Sequence, residues 1–281
     1  MSALTRLIAA AAVCAALAPP LAAQQRGAFL HDLTWPDAER RLRDAEVVIV
    51  PFGAGAKEHG PHLPLGADAI VLEHLSRMAV DSLAVVVAPP ILHGWFPAFR
   101  EFPGTEIGDA DLFTRYALEV ARSLVRHGAR RILFLNTGIS RSTGLPLSIA
   151  ARELQAREHV PTLVVSWDDL ESPATDALAS QRMGGHADEI ETSIMLALRP
   201  SLVHMDRAVR DYGPEGGEPY PGYRPGGFSR RQGDPDYSTT GVFGDPTLAT
   251  AEKGRKALAI MGAQWMKAIR GFATAPISST R

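Results

Sequence analysis

Short β-branched runs alternate with longer amphipathic segments along nearly the whole chain, and this alternation restricts the fold more than any other feature. Val47 to Phe52, Ala84 to Ala88, Arg131 to Leu135 and Thr162 to Ser166 read as strands. Apolar spacing between and after them predicts helices over about Ala67–Leu83, Asp109–His127, Leu145–Glu158, Glu189–Leu198 and Thr247–Gly271. Strands separated by helices line up in parallel, and a parallel sheet needs cover on both faces. The expected fold is therefore α/β, a three-layer sandwich with a mainly parallel sheet flanked by helices. Ligands gather at the carboxyl ends of such strands, so the loops after Val50, Leu135 and Val165 are where a site belongs.

The two ends of this framework are different in kind. Met1 to Arg6 is followed by the apolar run Leu7 to Leu17 and then by small residues up to Gln25, which describes a secretory signal peptide cleaved after Ala23. The run is too short to span a bilayer comfortably. Residues 1–23 are read as that leader and 24–281 as one domain, exported and periplasmic, with no membrane contact once the leader is gone. Cys14 is the only cysteine and leaves with it, so the mature chain has neither disulfide nor thiolate chemistry. A formal charge of −2 offers no basic excess for nucleic acid, and 46% hydrophobic residues are enough for a full core. From about 211 to 245 the periodicity stops and Gly, Pro, Asp and four tyrosines (Tyr212, Tyr220, Tyr223, Tyr237) take over. A long segment without regular elements is a lid, a subunit contact or a linker, and the tyrosines favour an ordered lid or contact.

The loop after the first of these strands carries the chemistry. In Gly53-Ala-Gly-Ala-Lys-Glu-His-Gly-Pro-His-Leu-Pro-Leu-Gly-Ala-Asp68, Glu58, His59, His62 and Asp68 offer the oxygen and nitrogen donors of a divalent metal, with Lys57 of opposite charge type among them. Asp68 also has a plain reading as N-cap of the following helix.

Glu58-His-Gly-Pro-His-Leu-Pro-Leu-Gly-Ala-Asp68 resembles the first signature of the creatininase (creatinine amidohydrolase) family. Ala88-Pro-Pro-Ile-Leu-His-Gly-Trp95, Phe102-Pro-Gly-Thr105, His186-Ala-Asp-Glu-Ile-Glu-Thr-Ser193 and Gly241-Val-Phe-Gly-Asp-Pro-Thr-Leu-Ala-Thr-Ala-Glu-Lys-Gly254 agree in the same order. The resemblance implies an α/β sandwich, commonly hexameric, that hydrolyses carbon–nitrogen bonds of small or cyclic amides with one or two divalent metals. His59 and Asp68 fall on the family's ligand histidine and metal-bridging aspartate, but Lys57 falls on its glutamate. Where the family has Asn-Gly-His, this chain has Asn136-Thr-Gly-Ile-Ser140, so Gly138 replaces a ligand histidine and Ser140 a further glutamate.

These departures suit a site in which Lys57 replaces one cation of a pair, because a dication stripped of its carboxylates is poorly compensated. The expected centre is mononuclear, holding one zinc, with manganese as the alternative, on His59, Asp68 and Glu191, and with Glu58 in reserve. By the same resemblance His186 is the acid/base, with Glu189 its neighbour or a ligand. The plain alternative is a helix-capping cluster. His62, Trp95, Asn136, Ser140 and Trp167 are candidate substrate contacts. Ser140 lacks the Gly-x-Ser-x-Gly elbow of a serine hydrolase. A different class stays open: a binding or scaffold protein on this fold that has lost its metal.

Overall fold

The computed structural model describes residues 27–276 apart from 105, 141, 214–227 and 235–236. The proposed leader, Thr105, Tyr220 and Tyr223 therefore lie outside the described residues. In chain order the elements are β1 (Ala28–Phe29), α1 (Trp35–Asp44), β2 (Val47–Phe52), α2 (Ala67–Ser82), β3 (Val85–Val87), α3 (Ala110–Arg126) and β4 (Ile132–Asn136). They continue with α4 (Gly144–Glu158), β5 (Thr162–Ser166), α5 (Trp167–Leu170), α6 (Pro173–Asp176), α7 (Glu189–Leu198) and α8 (Ala251–Thr274). The strands form one parallel sheet in the order β1-β3-β2-β4-β5.

Strand residues alternate between two cores. Val48, Val50, Phe52, Ile132 and Phe134 face the core built with Phe113, Ala117 and Ala121 of α3 and Leu147, Ala150 and Leu154 of α4. Val47, Ile49, Leu133 and Leu135 face the core of Val71 and Leu75 of α2, Ile190 and Ile194 of α7, and Met261 and Trp265 of α8. Both faces are covered, which is why the strands read as unbroken apolar runs. Gly254 lets α8 lie against α7, since a Cβ there would overlap the Ser193 carbonyl oxygen.

Several elements differ from the expectation, among them α5 and α6, single turns too short to show a period. The C-terminal helix starts at Ala251, not Thr247: Pro246–Leu248 is a separate 3-10 turn, and the Thr250 side chain caps α8 by accepting from Lys253 N–H at 3.2 Å. β1 was not expected because two residues are too few for a period. α1 was not expected because its surface is held by local ion pairs such as Arg40 to Asp37 at 2.6 Å, and only Leu42 is buried.

Adjacent strands β2 and β4 continue in opposite directions, β2 through α2 to β3 and β4 through α4 to β5, with the two helices on opposite faces. That reversal opens a crevice at their carboxyl ends. The Gly53–Gly66 loop and the turn after Asn136 both start there.

Candidate active site

Two buried charge clusters fill the crevice. In the first, His59 Nδ1 donates to the Lys57 carbonyl at 2.9 Å and its Nε2 lies 2.8 Å from Asp68 Oδ1. A carbonyl and a carboxylate both only accept, so the two contacts are both hydrogen bonds when the ring carries both protons. Lys57 Nζ stands 3.2 Å from Asp68 Oδ2. That pair is aligned for charge attraction and not for a good hydrogen bond, since Oδ2 is otherwise unbonded among the described residues. Burial pushes the Asp68 carboxyl up, but the charges of Lys57 and His59 and the His59 hydrogen bond bring it down to about 2. Lys57 is only 4% exposed and lies 5.1 Å from the centre of the Phe99 ring, a cation–π contact.

In the second cluster His186 Nε2 donates to Glu58 Oε2 at 2.9 Å, and Gly60 N–H donates to Glu58 Oε1. Burial pushes the Glu58 carboxyl up; the His186 charge and hydrogen bond, the Gly60 amide and the His59 charge outweigh it and hold the group below its ordinary value. Glu58 is thus a carboxylate at neutral pH. The His186 ring is sandwiched between Phe99 and His59, with centroids 4.3 and 5.3 Å away, and Phe228 of the tyrosine-containing segment packs on it at 5.6 Å. Gly241, at φ 69°, stands against Glu58, and a Cβ there would overlap the carboxylate.

Other expected residues go elsewhere. Asp68 sits inside the first turn of α2, and Gly66 holds the N-cap position, so the capping alternative is replaced by the contacts to Lys57 and His59. Asp188 caps α7 through the amides of Ile190 and Glu191 at 2.9 and 3.0 Å. Glu189 is spent on structure: one oxygen accepts from the Ser180 and Gln181 amides at 2.7 Å and the other pairs with Lys253. Asn136 ties its own turn together, accepting from Gly138 N–H at 3.0 Å and donating to Ser166 Oγ at 3.2 Å. Ser140 Oγ accepts from Asp168 N–H at 3.2 Å. Trp95 packs at the edge of the α3/α4 core. A side chain at Gly138 would meet the Phe52 ring at 3.0 Å, so that aromatic takes the room a histidine would use.

His62 is fully buried; its Nε2 lies 2.8 Å from Thr192 Oγ1, and Nδ1 has no partner among the described residues. Burial above all lowers its pKa to about 4, so the ring is neutral at pH 7. In the unfolded chain it titrates near 6.5, so between the two values the unfolded state holds the extra proton and falling pH favours unfolding. This contribution is intact above 6.5 and lost by about 4. His62→Gln removes it: the stability of wild type relative to this variant should fall by about 3 kcal/mol from pH 7 to 4, measured by urea unfolding at each pH. A constant difference would refute the neutral buried imidazole.

A small cleft joins His59, Asp68, Trp167 and Glu191. Three of these, His59, Asp68 and Glu191, are expected metal donors, yet their atoms do not converge. Glu191 Oε2 accepts from Ala187 N–H and stays 4.0 Å from His186 Nδ1, Glu58 is held by His186, and an ammonium lies against Asp68. Among the described residues no group of three His, Cys, Asp or Glu side chains is arranged to hold a metal ion. The donor set does not fit the expected mononuclear centre.

A second cavity, of about 150 Å³, is lined by Lys57, Glu58 and the rings of Phe96, Phe99 and Phe102. The Phe residues escaped the sequence reading because loop aromatics look like packing residues. Their nearness to Phe102-Pro-Gly-Thr105, a motif with no assigned role, was the available signal.

Residues 31–269 match the creatininase (creatinine amidohydrolase) family. The chain belongs to the creatininase family of hydrolases. It is 30% identical to a creatinine amidohydrolase of Pseudomonas putida over 69% of this chain and 80% of that one. It is 27% identical to a 3-dehydro-scyllo-inosose hydrolase of Thermotoga maritima over 82% and 78%. A mycofactocin precursor peptide peptidase of Mycolicibacterium smegmatis is 31% identical over 76% and 81%. Solved creatininases superpose with a TM-score of 0.72 over 88% of this chain at 27% identity; they include a zinc–zinc form and a manganese form, covered to 98% and 99% of their lengths.

Proposed function

We propose that this chain is an exported hydrolase that cleaves the carbon–nitrogen bond of a small amide, with Glu58 as general base and acid and Lys57 as the electrophilic group. The observation that carries the reading is that the ionised Glu58 and the Lys57 ammonium line the same cavity. Lys57 has three N–H donors and meets Asp68 as an ion pair, leaving N–H groups for a substrate carbonyl oxygen that gains charge as water adds. Glu58 takes the proton of the attacking water and returns it to the departing nitrogen, while His186 and Gly60 fix both its oxygens. No step is routed through a metal: Lys57 supplies the positive charge beside Asp68. The leader-like residues 1–23 support export, and the family resemblance supports a homo-oligomer.

Incubating the purified chain with lactams, primary amides and N-formyl amines, with and without a chelator, tests this reading. New amine and carboxylate should form at the same rate in both arms. Activity that disappears in the chelator and returns with zinc or manganese would replace the reading with the mononuclear one on His59, Asp68 and Glu191. No turnover of any member by folded protein would favour a binding or scaffold role.

A further inference from the structure

The cavity beside Lys57 and Glu58 carries a third polar group, Glu106. Its backbone is fixed by a bridge to Gly94, and the Ile107 amide donates to the Gly94 carbonyl at 2.7 Å. Oε1 lies 3.5 Å from Arg100 Nε, whereas Oε2 is buried and has no hydrogen-bond partner among the described residues. A buried carboxylate oxygen without a donor is costly, and in a cavity wall a ligand N–H can satisfy it.

The walls restrict what carries that N–H. Phe96, Phe99 and Phe102 supply the aromatic part of a wall shared with Lys57, Glu58, Arg100 and Glu106, and a volume of about 150 Å³ is that of a benzene-sized ring. It is well below the ~300 Å³ at which drug-sized pockets begin, so the group that enters it is small. Each charged group at its rim already has a polar partner: Lys57 faces Asp68, Glu58 faces His186 and Glu106 faces Arg100. A ligand with net charge would unbalance one of these pairs in a poorly solvated space, whereas a neutral one that both accepts and donates would not.

We infer that Glu106 is the specificity residue of this pocket and that the substrate is a neutral planar ring of six-membered size bearing a carboxamide. The ring stacks among Phe96, Phe99 and Phe102, the amide nitrogen donates to Glu106 Oε2, and the carbonyl oxygen accepts from Lys57. This rests on the hydrolase reading above for its chemistry: water adds its oxygen to the carbonyl carbon, the carbon–nitrogen bond breaks, Glu58 carries one water proton to nitrogen, the second passes to nitrogen as the new acid ionises, and carboxylate and ammonium leave.

Benzamide and benzoate are the probes, with titration calorimetry for binding and ammonia release for turnover. Benzamide should bind saturably, and at least 10-fold more tightly than benzoate. Glu106→Gln should weaken benzamide about 10-fold to 100-fold, the loss of one charge-assisted hydrogen bond, with its thermal unfolding unchanged. Phe102→Ala should weaken both probes alike, which separates ring stacking from amide recognition. Equal affinity for benzamide in wild type and Glu106→Gln, or no saturable binding, overturns the assignment. Benzamide binding that depends on Glu106 without ammonia release leaves the assignment standing and removes the hydrolase reading alone. Turnover of other small amides without benzamide binding does the reverse.

Discussion

Glu58→Gln should lower kcat for amide hydrolysis by about 100-fold to 10,000-fold, the usual worth of a positioned proton-transfer group. The exchange keeps size and shape. The amide oxygen of Gln can still accept from Gly60 N–H or from His186 Nε2, the two donors that hold Glu58. What it cannot do is take a proton from water. Substrate affinity should change little, so the loss falls in kcat and not in KM. Because His186 loses a charged partner, a modest drop in melting temperature is also expected. The check is steady-state kinetics on whichever small amide turns over, with circular dichroism to establish folding. Retention of more than a tenth of wild-type kcat would show that Glu58 is not the base.

Lys57→Met should destabilise the fold by about 3 kcal/mol, the low end of what removing one partner of a buried ion pair costs. The low end applies because Asp68 keeps its 2.8 Å contact with His59. The signature lies in the acid limb. Asp68 has a folded pKa of about 2 against 3.8 unfolded, so its contribution is present above 3.8 and lost as pH falls to 2. Lys57 is the first of the groups that lower this value, so in Lys57→Met the folded and unfolded values approach each other and the acid-labile contribution shrinks. Urea unfolding at pH 7 and pH 3, followed through buried Trp265, measures both effects. The double variant Lys57→Met/Asp68→Asn should recover part of the pH 7 loss. A fully additive double variant would mean that the pair contributes nothing.

The sheet was readable because β2, β3 and β4 are buried on both faces and so read as unbroken apolar runs. β1 escaped because two residues make no period, and α1 because its amphipathic pattern buries only Leu42. In the site, Lys57, Glu58, His59 and Asp68 were legible as a group since they lie on one short loop, and His186 was legible through its motif. Their partnerships were not. Spacing places His59 and Asp68 near one another, but it does not say that Glu58 turns from that pair to meet His186, 128 positions away. Glu189 was misread for the same reason: its partner Lys253 follows 64 positions later, in another helix. Glu106 left no trace in the sequence because an acid in a Gly/Pro loop looks solvated. Its role depends on walls supplied by Phe96, Phe99 and Phe102.

Gly241 gives the Gly/Pro/Tyr-rich segment a second importance. Because only a hydrogen atom separates that backbone from the Glu58 carboxylate, the segment and the base form one fitted part. Exchanging residues 211–245 for the equivalent loop of a relative would transplant the seat of the base. Such chimaeras inherit reactivity only if glycine arrives in register with position 241.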